Sequence, residues 1–188
     1  MKKSLLLIFI SLFGVSLSAQ ELEKAPKQYS FELGYRYMLS NALVPDGGTH
    51  GYGFLIDYAW QLSGFSEAKR AVYLSVPLGY SIIPGGDSGP GQRMLHYGWT
   101  VRHMLVKEGK VQPFLGYALL LNQVSVEDQS GQLFGHQTRF AAGTNFASGG
   151  LLTPYITVEY SMARHPQLGV EESSWIHFLG VKAGIRIK

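Results

Sequence analysis

From about residue 30 to the end of the chain, apolar and polar side chains alternate with a period of two, the spacing of a strand with two different faces. In "SFELGYRYML", Phe31, Leu33, Tyr35, Tyr37 and Leu39 share one face, and Ser30, Glu32, Gly34, Arg36 and Met38 share the other. Seven further segments repeat this division, near 52–62, 72–82, 95–105, 112–122, 134–146, 156–162 and 175–187. In the third, Val72, Leu74, Val76, Leu78, Tyr80 and Ile82 oppose Tyr73, Ser75, Gly79 and Ser81. In the eighth, Trp175, Leu179, Val181, Ala183, Ile185 and Ile187 oppose Gly180, Lys182, Gly184 and Arg186. The pattern predicts an all-β chain of eight antiparallel strands.

The connections fall into two classes. Polar stretches rich in Gly, Pro, Asp, Ser or Glu, roughly 40–50, 84–92, 124–132 and 165–173, alternate with "SGFSEAKR", "KEGK" and "ASGG", of which the last two are tight turns. An even strand count puts both termini at the end that carries the short turns. Long loops at one end and short turns at the other are the arrangement of transmembrane barrels. Pro113 and Pro154 fall near strand starts, where a missing N–H is tolerated, but Pro77 falls in mid-strand and calls for a bulge there.

The first twenty residues obey a different rule. "MKKSLLLIFISLFGVSLSAQ" has two lysines, an apolar run from Leu5 to Leu17 and small residues before Gln20, the signature of a secretory signal peptide cleaved after Ala19. Residues 1–19 are therefore expected to be the signal and 20–188 a single barrel domain of 188 − 19 = 169 residues. Removing Lys2 and Lys3 changes 16 basic residues to 14, against 13 acidic ones, so the exported chain is nearly neutral. Its basic balance is no argument for nucleic acid, and no basic patch interleaved with aromatics occurs. Cysteine is absent, which excludes disulfides and thiolate metal sites. Charged residues make up 15% of the chain, below the roughly 25% of soluble domains.

In architecture the chain resembles the small eight-stranded outer-membrane β-barrels of Gram-negative bacteria, such as the OmpA transmembrane domain and OmpX. The resemblance covers 28–188 and rests on pattern; the signal ending in "SAQ" is similar to those of Bacteroidetes. It implies an up-and-down transmembrane barrel exported to the outer membrane, with outer-membrane lipids, lipopolysaccharide and the outer-membrane assembly machinery as partners. Such barrels usually end on an aromatic residue read by that machinery, whereas this chain ends "GIRIK". A lipocalin-type soluble barrel would invert the two faces. The apolar faces carry no Asp, Glu, Lys or Arg and are too bulky to fill a small barrel, while the Gly-, Ala- and Ser-rich faces fit one.

With the polar faces inward, Glu32, Arg36, Asp57, Arg102, Arg139, Glu159, Lys182 and Arg186 project into a narrow lumen. Closure pairs the first strand with the last, so Glu32 and Arg36 are expected to meet Lys182 and Arg186, with Asp57 as their other neighbour. Charges confined in this way cost several kcal/mol unless paired. A salt-bridged plug is the expectation, and a narrow anion-selective, porin-like pore is the alternative. His50 and His165 are assigned to loops, His96 to the lumen, and His103, His136 and His177 to the lipid side; none has metal-ligand spacing, and no cofactor is expected.

Lipid A deacylases, also small outer-membrane barrels, carry a His-x-Ser pair near the end of the seventh strand. Here "VEYSMARHPQL" sets Glu159, not histidine, two residues before Ser161, and His165 is misplaced. The nearest arrangement, His136 and Thr138, lies on another strand. The expected role is therefore structural or surface-interacting, with a lipid A-modifying hydrolase as an alternative. The loops hold too few aromatics to name a ligand.

Overall fold

The computed structural model describes residues 27–41, 49–62, 71–85, 89–106, 108–127, 130–147, 149–166 and 173–188. The expected signal peptide and the central parts of the long loops lie outside the described residues. Eight strands follow in order: β1 (Lys27–Asn41), β2 (His50–Gln61), β3 (Val72–Ile83), β4 (Gln92–Met104), β5 (Val111–Val126), β6 (Leu133–Phe146), β7 (Leu152–Pro166) and β8 (Ser173–Ile187). Each pairs antiparallel with its sequence neighbours, and β1 pairs with β8, closing the barrel. Closure removes the free sheet edge, and with it the unpaired N–H and C=O groups that hydrocarbon cannot satisfy.

One circuit of paired residues runs Gln28, Ala59, Ser75, Thr100, Ala118, Arg139, Ser161, Phe178 and returns to β1 at Met38, a stagger of 38 − 28 = 10 residues. A stagger of this size in eight strands requires a tilt of about 40° and leaves an interior that side chains fill. The alternation assigns the faces as the sequence does. Phe31, Leu33 and Tyr35 are exposed on the outside, and Ser30, Glu32 and Arg36 are buried within.

Pro77 does not produce the expected bulge. Its ladder with β2 runs unbroken through Asp57, while the ladder with β4 stops at Ser75 and resumes at Leu78 in the same register. The missing N–H is absorbed as a two-residue gap in one ladder. The register shift falls instead in β1 against β8, between Met38 and Ser40. Tight turns close the other end, where Gly109 (φ 101°) and Gly149 (φ 76°) adopt a backbone region costly for other residues.

The lumen is layered. At the loop end, Met38, Ile83, Met94, Val124, Val126, Ala163, Ile176 and Phe178 form a buried apolar cluster. At the turn end, Ala71, Met104, Phe114 and Tyr155 form a smaller one. The charged side chains lie between and around these two layers.

Candidate functional site

Glu159 on β7 and Lys182 on β8 lie on diagonal neighbours, since Glu159 is opposite Gly180 and Thr157 opposite Lys182. Lys182 Nζ is 2.8 Å from Glu159 Oε2 and 2.9 Å from Glu32 Oε1, so one ammonium joins three strands. The second oxygen of Glu32 accepts a hydrogen bond of 3.0 Å from the Tyr155 hydroxyl. Arg36 Nε and Arg139 Nη1 approach Glu159 to 3.4 and 3.6 Å. These two are ion pairs rather than hydrogen bonds, because Arg139 Nη1 and Glu159 Oε1 have no hydrogen-bond partner. Arg139 donates instead through Nη2 to Thr100 Oγ1 at 3.3 Å, and Arg36 Nη2 lies 3.5 Å from His96 Nε2.

Glycines make room for this network. A Cβ at Gly34 would stand 2.6 Å from Lys182 Cγ, and one at Gly180 would stand 2.8 Å from Glu159 Cγ. A Cβ at Gly79 would stand 2.1 Å from His96 Nε2. The small residues on the inner face therefore seat particular long ones.

The remaining charges are placed differently from the expected seam. Arg36 meets Glu159 rather than Lys182 or Arg186, its guanidinium carbon 5.7 Å from the Phe178 ring centroid on β8, and Arg186 joins neither Glu32 nor Arg36. Its guanidinium carbon lies 3.9 Å from the Tyr155 ring centroid and 4.6 Å from that of Phe114. Six residues of separation along β1 and β8 explain this: Arg186 is opposite Ser30, near the turn end, and Arg36 is opposite Gly180. Arg102 donates to Gln28 Oε1 at 2.6 Å and sits over Tyr73, 4.8 Å from its centroid. Asp57 accepts a long hydrogen bond from Ser30, 3.5 Å.

Two features escape the sequence reading. His165 is not in a loop; it is a fully buried residue of β7, its ring lying where a side chain at Gly135 would stand. The apolar loop-end cluster was hidden because Ile83, Met94 and Val124 occupy inward positions where the pattern elsewhere is polar. His50 begins β2 and hydrogen-bonds Tyr35, and His177 meets Tyr160 at 2.8 Å beside Trp175. Ser161 is completely buried on the inner face between Arg139 and Phe178. Among the described residues no group of three or more His, Cys, Asp or Glu could hold a metal ion.

These features define an all-β, eight-stranded, antiparallel up-and-down barrel of the transmembrane type, apolar outside and polar within. Solved structures of the same architecture include Neisserial surface protein A, similar with a TM-score of 0.64 at 15% identity over 86% of this chain and 96% of that one. The outer membrane enzyme PagL is similar with a TM-score of 0.53 at 15% identity over 86% of this chain and 99% of its own. No protein-family model matches the chain, and no curated protein matches it.

Proposed function

We propose that this chain is a bacterial outer-membrane protein of structural or surface-interaction type, exported by residues 1–19 and sealed through its middle. The observation that carries the reading is the contrast between the two faces. Outside, leucines, valines, isoleucines and aromatics stand exposed around the barrel, a surface whose natural solvent is hydrocarbon. Inside, Lys182, Glu32, Glu159, Arg36 and Arg139 cross-link four strands under an apolar layer, which supports a closed lumen.

A hydrolase is disfavoured by the position of Ser161. A nucleophile acting on lipid acyl chains must face the lipid, whereas Ser161 faces the lumen with no exposed surface. Its neighbour at His-x-Ser spacing, Glu159, is committed to three cations. The surface-interaction role would fall to the four long loops, which rise from the end opposite the tight turns.

The three tryptophans supply a test of the membrane assignment. Trp99 and Trp175 are exposed on the outside, and Trp60 packs edge-on against Trp99 with ring centroids 6.2 Å apart. In barrels refolded into vesicles, brominated acyl chains should quench most of the tryptophan fluorescence and aqueous iodide little of it. The reverse ranking, in a protein that stays soluble without detergent, would overturn the reading in favour of a soluble barrel.

A further inference from the structure

The turn end of the lumen holds a cavity of about 280 Å³. Its lining carries three cationic side chains, Lys27, Arg186 and Lys188, and no acidic one. Gln28, Gln61, Gln112, Asn145, Tyr73 and Thr153 complete the polar part of the wall.

Arg186 is the feature that asks for a ligand. It is 4% exposed, and its Nε and Nη1 make no hydrogen bond. Stacking on Tyr155 and Phe114 occupies the faces of the guanidinium but leaves its edge, where all five N–H donors lie. Among the described residues Arg186 has no ion-pair partner. The acids that might serve are otherwise engaged or held apart: Glu32 is shared by Lys182 and Tyr155, and Asp57 accepts from Ser30. A second guanidinium, Arg102, shares the Phe114 ring with Arg186, its carbon 5.9 Å from that ring's centroid. Three cationic side chains beside a cavity with no acidic side chain in its lining create a local positive potential, and a buried guanidinium with open donors matches an oxyanion in both charge and geometry.

We propose that this cavity is a binding site for a small oxyanion, phosphate or carboxylate, held edge-on by Arg186 and approached past Lys27 and Lys188. With the four long loops on the outer surface, as the surface-interaction role proposed above requires, the cavity opens on the periplasmic side. The site is separate from the Glu159 network, which lies deeper in the barrel and has its own counter-charges. It does not require that the lumen conduct, since an anion can enter from the turn end and leave the same way.

The test is calorimetric titration of the full barrel, folded in detergent, with inorganic phosphate and separately with succinate, at ionic strength held constant with chloride. At least one of the two should bind saturably at one site per barrel, and which one does so identifies the headgroup preferred. Losing the charge-assisted bonds in Arg186→Gln should weaken binding about tenfold or more, while Arg93→Gln, at the loop end, should leave it unchanged. Folding of each variant is checked by heat-modifiable gel migration. If Arg186→Gln does not fold, the exposed rim pair Lys27→Gln/Lys188→Gln should lower the affinity instead. Absence of saturable binding for both anions overturns the proposal. So does unchanged affinity in folded Arg186→Gln, or in the rim pair where that variant fails to fold.

Discussion

The Lys182 ammonium and the Glu159 carboxylate meet at 2.8 Å inside the barrel, their side chains 5% and 1% exposed. A pair this deep gains little from screening water and depends on its neighbours for balance. Glu32 draws on the same ammonium, and Arg36 and Arg139 draw on the same carboxylate. The barrel interior is thus held by a few shared groups rather than by separate pairs.

Lys182→Met follows directly. It leaves Glu32 and Glu159 buried without their common cation, and should lower unfolding free energy by about 3–5 kcal/mol. Urea titration of the folded barrel, followed by tryptophan fluorescence, measures the loss. Adding Glu32→Gln to that variant should restore part of it, because one uncompensated charge is then removed.

Space in the lumen is equally specific. Gly180→Ala drives a methyl against Glu159 Cγ, 2.8 Å from the ideal Cβ, whereas Gly116→Ala meets nothing nearer than 3.6 Å. The first should cost about 1–3 kcal/mol, as overpacking does. The second should be close to neutral, and equal effects in the same urea titration would refute the distinction.

The outer face is tested by a single charge. Leu119 is 59% exposed on β5, between Trp99 and Thr138. Leu119→Arg should destabilise the barrel in lipid by about 2–4 kcal/mol if that position lies near the bilayer midplane. Leu105→Arg, just beyond the turn-side end of β4, should cost at most about 1 kcal/mol.

The division into eight strands, the two faces and the class of barrel were all legible from period-two alternation, because a closed barrel in lipid imposes it on every strand. Inward placement of charges was legible for the same reason. Their partners were not. Strand tilt sets Arg36 beside Glu159 and withdraws Arg186 to the turn end, and tilt depends on a stagger that no single strand reveals. Pro77 misled because a bulge and a gap in one ladder are equal answers to a missing N–H. His165 misled because its proline neighbour suggested a loop, whereas β7 continues to Pro166.

Lipid chemistry separates the enzymatic alternative. Mass spectra of lipid A from cells with and without the protein should be the same, and Ser161→Ala should change nothing. Loss of an acyl chain that depends on Ser161 would place a reacting serine where the structure has a buried one.

The sealed lumen is the central claim, and single-channel recording in planar bilayers tests it most directly. Barrels whose folding is verified by gel migration should give no resolved current steps, and Leu120→Ala, which shortens one buried apolar side chain, should give none either. Discrete steps in the unaltered protein, changed in size by Arg36→Ala or Arg102→Ala, would contradict the account and make the lumen a pore.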